Sequence, residues 1–377
     1  MSSPFRRFEE GPADPAAIER VFATTKLPHV DGTSVTFAYR GPATEVKLQH
    51  WIHGLPSSQP FHRLGHSNVW TLQLELPLGS RMEYKLEVAQ GRQRRLIRDP
   101  LNPHVAHDPF GANSVVHGAG YERPDWTVED PDARPGRVVE RTIRSAAFGE
   151  DRTVRVYLPA RLRATRRYPL LVAHDGSDYL RYSGLQTVLD NLIHRLEIPS
   201  MVVALTDPGD RMREYVDDDR HAAFLVEELL PDLEAVYPLS REPLDRGLLG
   251  ASFGAVAALS TAWRRPGVFG NLCLQSGSFA FSDVGAHDAG PAFDRVVELM
   301  NAFRERPGRP AERIFQSCGT FEPLIYYNRS MVPLLQKVTK AHRFVEARDG
   351  HNWENWRDRL REGLSWLFPG PLWMVYE

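Results

Sequence analysis

Cysteine is nearly absent from this 377-residue chain, which has only Cys273 and Cys318. Two are too few for a disulfide scaffold, and both lie in apolar segments where a reduced thiol packs as a small hydrophobe. Neither has a second ligand-type residue at zinc-like spacing, and no CxxC or HExxH occurs, so neither a metal nor a cofactor is expected. Net charge is also missing: the formal value is -2 and the pI is near 6.7. No overall field draws the chain to nucleic acid or to anionic membrane. No apolar run approaches the ~18 residues that span a bilayer. The opening Met1-Ser-Ser-Pro-Phe-Arg-Arg-Phe-Glu-Glu lacks the apolar stretch of a secretion signal, so the cytoplasm is the expected compartment. Lysine is scarce, 5 residues against 41 arginines, and the arginines are spread as solvated surface. What is present is ordinary: 42% hydrophobic and 25% charged residues fit a globular chain and exclude disordered, collagen-like and coiled-coil classes. The length suggests two domains or one large one.

Period-two alternation marks the amino-terminal part. Ser34–Arg40, Glu45–Trp51, Val69–Leu76 and Arg81–Val88 are short alternating segments broken by turn residues, which predicts a small antiparallel β-sandwich. Residues 118–137 are rich in Gly, Pro, Asp and Arg without periodicity and read as a linker, placing a boundary near 135. The expected domains are residues 1–135 and 136–377. The second opens with a probable hairpin, Arg137–Arg144 and Arg152–Pro159. Continuous apolar runs follow around Leu170, Val202, Leu248, Leu272 and Ile314, as suits strands buried on both faces of a parallel sheet. Helical stretches alternate with them, at 184–197, 220–236, 253–263, 329–340 and 353–367. In the second of these, Phe224, Leu225, Leu229, Leu233 and Val236 make one apolar face. The fold class expected is α/β, a mostly parallel sheet with helices on both faces, preceded by a small all-β domain.

The sharpest chemical signal is Gly250-Ala-Ser-Phe-Gly254, a GxSxG pentapeptide between a predicted strand and a predicted helix. A nucleophile elbow needs that setting, because the sharp turn requires small flanking residues to lift the Ser252 hydroxyl clear of the sheet. A serine is a poor nucleophile unless a base takes its proton. His351 has the right setting, in a Gly turn after a late strand and before the last helix; helix capping is its bland alternative. His342 falls on the wrong side of its strand, and His287 lies in a segment with no assignable element. Glu322, in the turn after the strand ending in Cys318-Gly319, is the preferred acid, with Asp349, Asp283 and Asp288 as alternatives. An oxyanion hole would use the backbone N–H groups of Phe253 and of the turn His174–Asp178, where Gly176 permits close approach. His174 and Asp175 fit a plain turn equally well. Arg211, Arg213, Glu214 and Tyr215 either shape an anionic or aromatic substrate pocket or form an internal salt bridge that holds their loop. Trp353, with Trp356, either stacks on an aromatic acyl group or packs as a helix stripe.

Taken together, Gly250–Gly254, Gln275-Ser-Gly-Ser-Phe279, Cys318-Gly-Thr-Phe-Glu-Pro323, Asn328-Arg and Gly350-His-Asn-Trp-Glu-Asn-Trp356 resemble the enterochelin esterases of the wider esterase D group. The Asp207–Tyr215 loop and Glu227-Glu-Leu-Leu-Pro231 match that pattern too. Ala251 and Ala255 depart from it. The amino-terminal part, with Asp99-Pro-Leu-Asn-Pro103, looks like the immunoglobulin-like module that precedes the hydrolase in those enzymes. The resemblance implies a cytoplasmic α/β-hydrolase that opens the trilactone of an imported ferric catecholate siderophore, with Ser252 as nucleophile, His351 as base and Glu322 at the acid position. The expected partner is therefore a small-molecule ester; oligomeric state is left open. Two rivals differ in class. A carbohydrate or feruloyl/acetyl aryl esterase would present an aromatic platform on its β-sandwich, for instance Trp51 with Trp70. A non-catalytic binding protein would not need an intact Ser, His and acid set.

Overall fold

The computed structural model describes residues 3–9, 14–216, 218–284 and 290–371. It divides into two compact units. The first contains the described residues up to Arg123 together with two later segments, Gly319–Pro323 and Ala347–Asn352. It holds helices α1 (Arg6–Glu9) and α2 (Pro15–Thr24) and two antiparallel sheets. One sheet has the order β1 (His29–Asp31), β2 (Ser34–Arg40), β6 (Val69–Glu75), β5 (His62–Arg63). The other runs β4 (Ser58–Pro60), β3 (Glu45–His50), β7 (Arg81–Gln90), β10 (Gly111–His117), β9 (Val105–Asp108), with β8 (Gln93–Ile97) also paired to β7.

Alternation explains this unit. Val35, Phe37 and Tyr39 of β2 enter one core with Val46, Leu48, Trp70, Leu72, Tyr84 and Leu86, residues drawn from both sheets. Ala38, on the opposite face of β2, packs with Ile18 and Val21 of α2. The Asp99–Pro103 motif ties to the adjacent inner strands β7 and β10: the Tyr84 hydroxyl donates to Asp99 at 2.6 Å, and Asn102 donates to the Val115 carbonyl at 2.8 Å. Trp70 is core, whereas Trp51 is exposed, so these two tryptophans form no shared platform.

The second unit is built on an eight-stranded sheet of order β11 (Arg137–Ser145), β12 (Glu150–Leu158), β14 (Val202–Thr206), β13 (Leu170–His174), β15 (Arg246–Ala251), β16 (Asn271–Gln275), β17 (Arg313–Gly319), β18 (Ala341–Ala347). β11 and β12 form an antiparallel hairpin, β12 is antiparallel to β14, and β14, β13, β15, β16 and β17 are mutually parallel. Helices α3 (Gly176–Tyr182), α4 (Leu185–His194), α5 (Arg211–Glu214), α6 (Asp219–Ala223), α7 (Leu230–Val236), α8 (Phe253–Arg264), α9 (Pro291–Glu305), α10 (Ile325–Val338) and α11 (Trp353–Leu367) complete it. Each continuous apolar run serves two cores. Leu170, Val172, Val202, Ala204, Leu272 and Leu274 pack on one face with α8, α9 and α10. Leu171, Ala173, Val203, Leu205 and Cys273 pack on the other with α3, α4 and α11. A strand covered on both sides must be apolar at successive positions, and each buried Leu or Val contributes about 1.5–3 kcal/mol.

Several elements differ from the sequence expectation. The chain becomes helical at Gly176, directly after β13, where a turn was expected. Helix α9 was missed although Pro291 opens it and Val296, Leu299, Met300 and Phe303 are buried at helical spacing. The expected 220–236 helix contains a π-helical segment at Phe224–Leu229. Pro231, just beyond, has no N–H to offer the Glu227 carbonyl, and a widened turn accommodates that loss. Val236, placed on the apolar face, is 52% exposed because the helix ends there. The second unit comprises Pro124–Cys318, Leu324–Glu346 and the described residues from Trp353 onward, and within it Asn191 donates to the carbonyls of Trp126 and Val128.

Candidate active site

The carboxyl ends of the parallel strands gather the first group of functional side chains, as in other open α/β sheets. Ser252 lies between β15 and α8 with φ 58° and ψ -121°, a conformation side chains rarely adopt. Its N–H donates to the Gln275 carbonyl at 2.9 Å, which pins the bend to β16. Gly250 is indispensable here, since a Cβ on it would lie 2.1 Å from the Gly254 carbonyl oxygen. Glycine at 254 faces the Cβ of His174 and a carboxylate oxygen of Asp175, each 3.3 Å from where a Cβ would stand. The Ser252 hydroxyl is 3.2 Å from that of Ser278, a buried residue whose N–H donates to the Ser252 carbonyl at 3.3 Å. Ser278 is held in turn by Asn328 of α10, which donates to the Gly277 carbonyl at 2.9 Å and accepts its N–H at 3.2 Å. Both Ser278 and Asn328 fall in segments that resemble the esterase pattern, but nothing in the sequence alone assigns either of them a role.

Phe253 occupies the first turn of α8, where N–H groups have no partner within the helix. Gly176 opens α3, following Asp175 at φ 52°. A Cβ on Gly176 would meet Leu205 at 2.5 Å, so its lack of a side chain serves packing against β14. Asp175 is buried and is gripped by Arg211, whose Nε and Nη2 donate at 2.9 and 2.8 Å. Its own N–H donates to the Tyr215 hydroxyl at 3.0 Å. Tyr215, expected to shape a pocket, has no exposed surface and acts as the back wall of this loop. Glu214 is buried against Arg152 in a two-pronged pair at 2.8 and 3.1 Å, the internal salt bridge that holds the loop. Arg213 is exposed.

His174 is completely buried, and burial pulls its pKa down to about 4. Its Nδ1 lies 2.9 Å from the Leu249 carbonyl, which can only accept, so Nδ1 carries the proton. Its Nε2 therefore accepts from Nε2 of His221 at 3.1 Å. Burial also lowers the pKa of His221 well below its ordinary value, so both rings are neutral. The two rings are tilted against each other, and each meets the Tyr215 ring edge-on. Trp353, expected to meet an acyl group, is buried edge-on against Tyr179 and Trp356, at centroid distances of 5.2 and 4.8 Å. Trp356 donates to the Ser276 hydroxyl at 2.9 Å. Both tryptophans are packing residues, because α11 buries that face on α3. Cys273 is buried, which pushes its thiol up to about 12 and leaves it inert.

The second group lies in the first unit. Glu322 and His351 belong to the two late segments, and His351 Nδ1 is 2.6 Å from Glu322 Oε2. The Glu322 side chain has no exposed surface, whereas that of His351 is 37% exposed. The other carboxylate oxygen of Glu322 accepts the Gly319 N–H at 2.7 Å. A carboxylate only accepts, so Nδ1 of His351 donates, and in the neutral form of the ring the lone pair is on Nε2. That is the arrangement of a general base with an orienting acid. Of the alternatives, Asp349 pairs with Arg81 and Asp283 with Arg304. His342 is bonded to Gln316 at 3.0 Å, while His287 and Asp288 lie outside the described residues. Among the described residues, no group of three or more His, Cys, Asp or Glu is placed to hold a metal ion, and no helix is long and apolar enough to cross a membrane.

A mostly parallel sheet with helices on both faces and a strained serine at the strand-to-helix bend mark the α/β-hydrolase type of fold, and membership of an esterase family makes the chain a carboxylic-ester hydrolase. The model of the putative esterase family matches residues 145–367, and the chain belongs to that family. It is 25% identical over 368 residues to the iron(III) enterobactin esterase of Escherichia coli strain CFT073, covering 88% of this chain and 90% of that one. Among solved structures, ferric enterobactin esterase from Salmonella typhimurium superposes with a TM-score of 0.75 at 22% identity, over 93% of this chain and 98% of the other. The enterobactin esterase of Shigella flexneri, crystallised in the presence of enterobactin, gives 0.71 at 24% identity, over 89% and 92%.

Proposed function

We propose that this chain is a cytoplasmic serine esterase that opens the ester bonds of a catecholate trilactone siderophore, using Ser252 as nucleophile, His351 as general base and Glu322 as orienting acid. Residues 136–377 are the proposed catalytic domain and residues 1–135 the immunoglobulin-like module. The observation that carries the mechanism is the 2.6 Å contact between His351 Nδ1 and a fully buried Glu322, which leaves Nε2 of a partly exposed ring to take a proton. The mechanism requires that nitrogen to come within hydrogen-bond reach of the Ser252 hydroxyl. Ser252 Oγ then attacks the ester carbonyl while His351 accepts its proton. The tetrahedral oxyanion is held by the N–H groups of Phe253 and Gly176. Collapse expels the alcohol, which takes the proton from His351 and leaves an acyl-serine. Water, activated by the same nitrogen, attacks the acyl carbon and restores Ser252 as the acid product departs. Arg213, exposed on α5, is the proposed contact for an anionic substrate, with Arg211 held beside it by Asp175. Siderophore specificity is supported by the names of the relatives and by their coverage of both units.

The test pairs a substrate panel with one variant. Purified protein is incubated with ferric and iron-free catecholate trilactone beside feruloyl and acetyl sugars, and products are read by mass spectrometry. Cleavage of the trilactone supports the reading; cleavage of the sugar esters alone rejects it. In Ser252→Ala, turnover of short p-nitrophenyl esters should drop at least about 100-fold, and undiminished turnover would dispose of the mechanism.

A further inference from the structure

The turn that carries His351 is closed by its own residues and then gripped from elsewhere in the first unit. Asp349 Oδ1 accepts the Gly350 N–H at 2.7 Å and the Asn352 amide at 2.8 Å. Its other oxygen, Oδ2, accepts from Arg81 Nε at 2.9 Å. The Arg81 guanidinium also donates to the Asn352 side-chain carbonyl and, at 3.0 Å, to Glu83. Two further bonds reinforce the grip: the Arg81 main-chain N–H donates to the Arg348 carbonyl at 3.0 Å, and the Arg348 guanidinium donates to the Leu78 carbonyl at 2.7 Å. The acid loop is held in the same way. The His53 N–H donates to Phe321, one residue before Glu322, at 2.7 Å, and the Phe321 N–H donates to the Asp349 carbonyl at 3.1 Å.

Arg81 has no exposed surface. Arginine is almost never buried to that degree unless paired, and its planar fork reaches two acceptors with fixed geometry where a lysine ammonium offers a point charge. Burial raises the pKa of both Asp349 and Glu83, and the Arg81 charge opposes that rise. Buried ion pairs are poor sources of stability compared with apolar packing of the same volume. What this one supplies is placement, since its two partners in the late segment, Asp349 and Asn352, flank His351.

We propose that Arg81 is a positioning residue for catalysis: by fixing Asp349 and Asn352 it sets the orientation in which His351 meets the reacting groups, so that the amino-terminal β-sandwich is part of the catalytic apparatus. The inference rests on the Ser252, His351 and Glu322 reading. It is tested on the full chain with Arg81→Gln, Arg81→Lys, Asn352→Ala and Ser252→Ala. Readouts are kcat and KM for a short p-nitrophenyl ester, corrected by titration for the folded fraction, and the downfield proton resonance of the His351–Glu322 bond. Arg81→Gln should lower kcat roughly 10–100-fold with KM changed less than about threefold, because misorientation of a reacting group is felt in the transition state. The downfield resonance should broaden or vanish. Arg81→Lys, which keeps charge without the fork, should lie between Arg81→Gln and wild type. Asn352→Ala leaves no buried charge unpaired, so it keeps the test open if Arg81→Gln does not fold; a kcat loss of about threefold or more is expected, the scale of one hydrogen bond. Wild-type kcat per folded molecule with an unchanged resonance in Arg81→Lys and Asn352→Ala would overturn the proposal. Full activity in Ser252→Ala would instead overturn the reading beneath it, and this proposal with it.

Discussion

The serine elbow and the histidine–acid pair are built in opposite ways. The elbow is made of backbone: a positive φ at Ser252, a glycine at 250 that no other residue can replace, and main-chain bonds to Gln275 and Ser278. The pair is made of side chains: a buried Glu322 on His351, with Arg81, Asp349 and Asn352 bracketing the turn. Strained backbone is specified locally, within a few residues. A buried polar network can recruit a partner 268 positions away, as Arg81 does for Asp349. The elbow is therefore readable as a pentapeptide; of the pair, His351 and Glu322 are legible from their turns, but the Arg81 bracket only once the chain has folded.

That contrast is tested first at the acid. Glu322→Gln keeps the shape but removes the charge that orients His351, and kcat should fall roughly 10²–10⁴-fold, the scale seen when a triad acid is made neutral; an undiminished kcat would mean that the acid is elsewhere. Acidification tests the neutral histidines. Burial holds His174 and His342 at about 4, against 6.5 for the free side chain. The unfolded chain binds more protons between those values, so the stabilisation is complete above about pH 6.5 and is lost as pH falls towards 4, by up to a few kcal/mol. A urea midpoint lower at pH 5 than at pH 7 is expected; equal midpoints would contradict neutral buried rings. Gly250→Ala should destabilise the chain by about 3 kcal/mol, since its Cβ would collide with backbone that cannot rotate away; thermal unfolding at the wild-type temperature would show the elbow to be more pliant than described. Ser278→Ala removes one neutral hydrogen bond to the Ser252 hydroxyl and should change kcat by roughly 2–10-fold with little change in midpoint. A loss as large as that of Glu322→Gln would make Ser278 a partner in the chemistry.

Legibility followed the same division. The β2 strand at Ser34–Arg40 and the helix at Trp353–Leu367 were read to the residue, because periodicity alone defines them. The apolar runs of the parallel sheet were equally plain, since burial on both faces leaves no polar position to confuse the pattern. Ser252 and its flanking glycines were visible for the same local reason. Tyr215 and Trp353 were less so: an aromatic beside a candidate site has one sequence signature whether it faces substrate or fills a core, and here both fill cores. For Glu214 and Arg211 an internal bridge was one of two open readings, but their partners were not legible, because Arg152 and Asp175 come from other strands' ends. Arg81 carried no signal at all, one arginine among many in an alternating strand.

The central claim, that Ser252 is a nucleophile made reactive by His351, is met most directly by covalent labelling. Wild-type protein treated with a fluorophosphonate ester and digested for mass spectrometry should carry one equivalent on the peptide containing Ser252, and His351→Ala should lose that label at matched folded concentration. Esterase activity that survives with Ser252 unmodified, or labelling of Ser252 that is indifferent to His351, would contradict it.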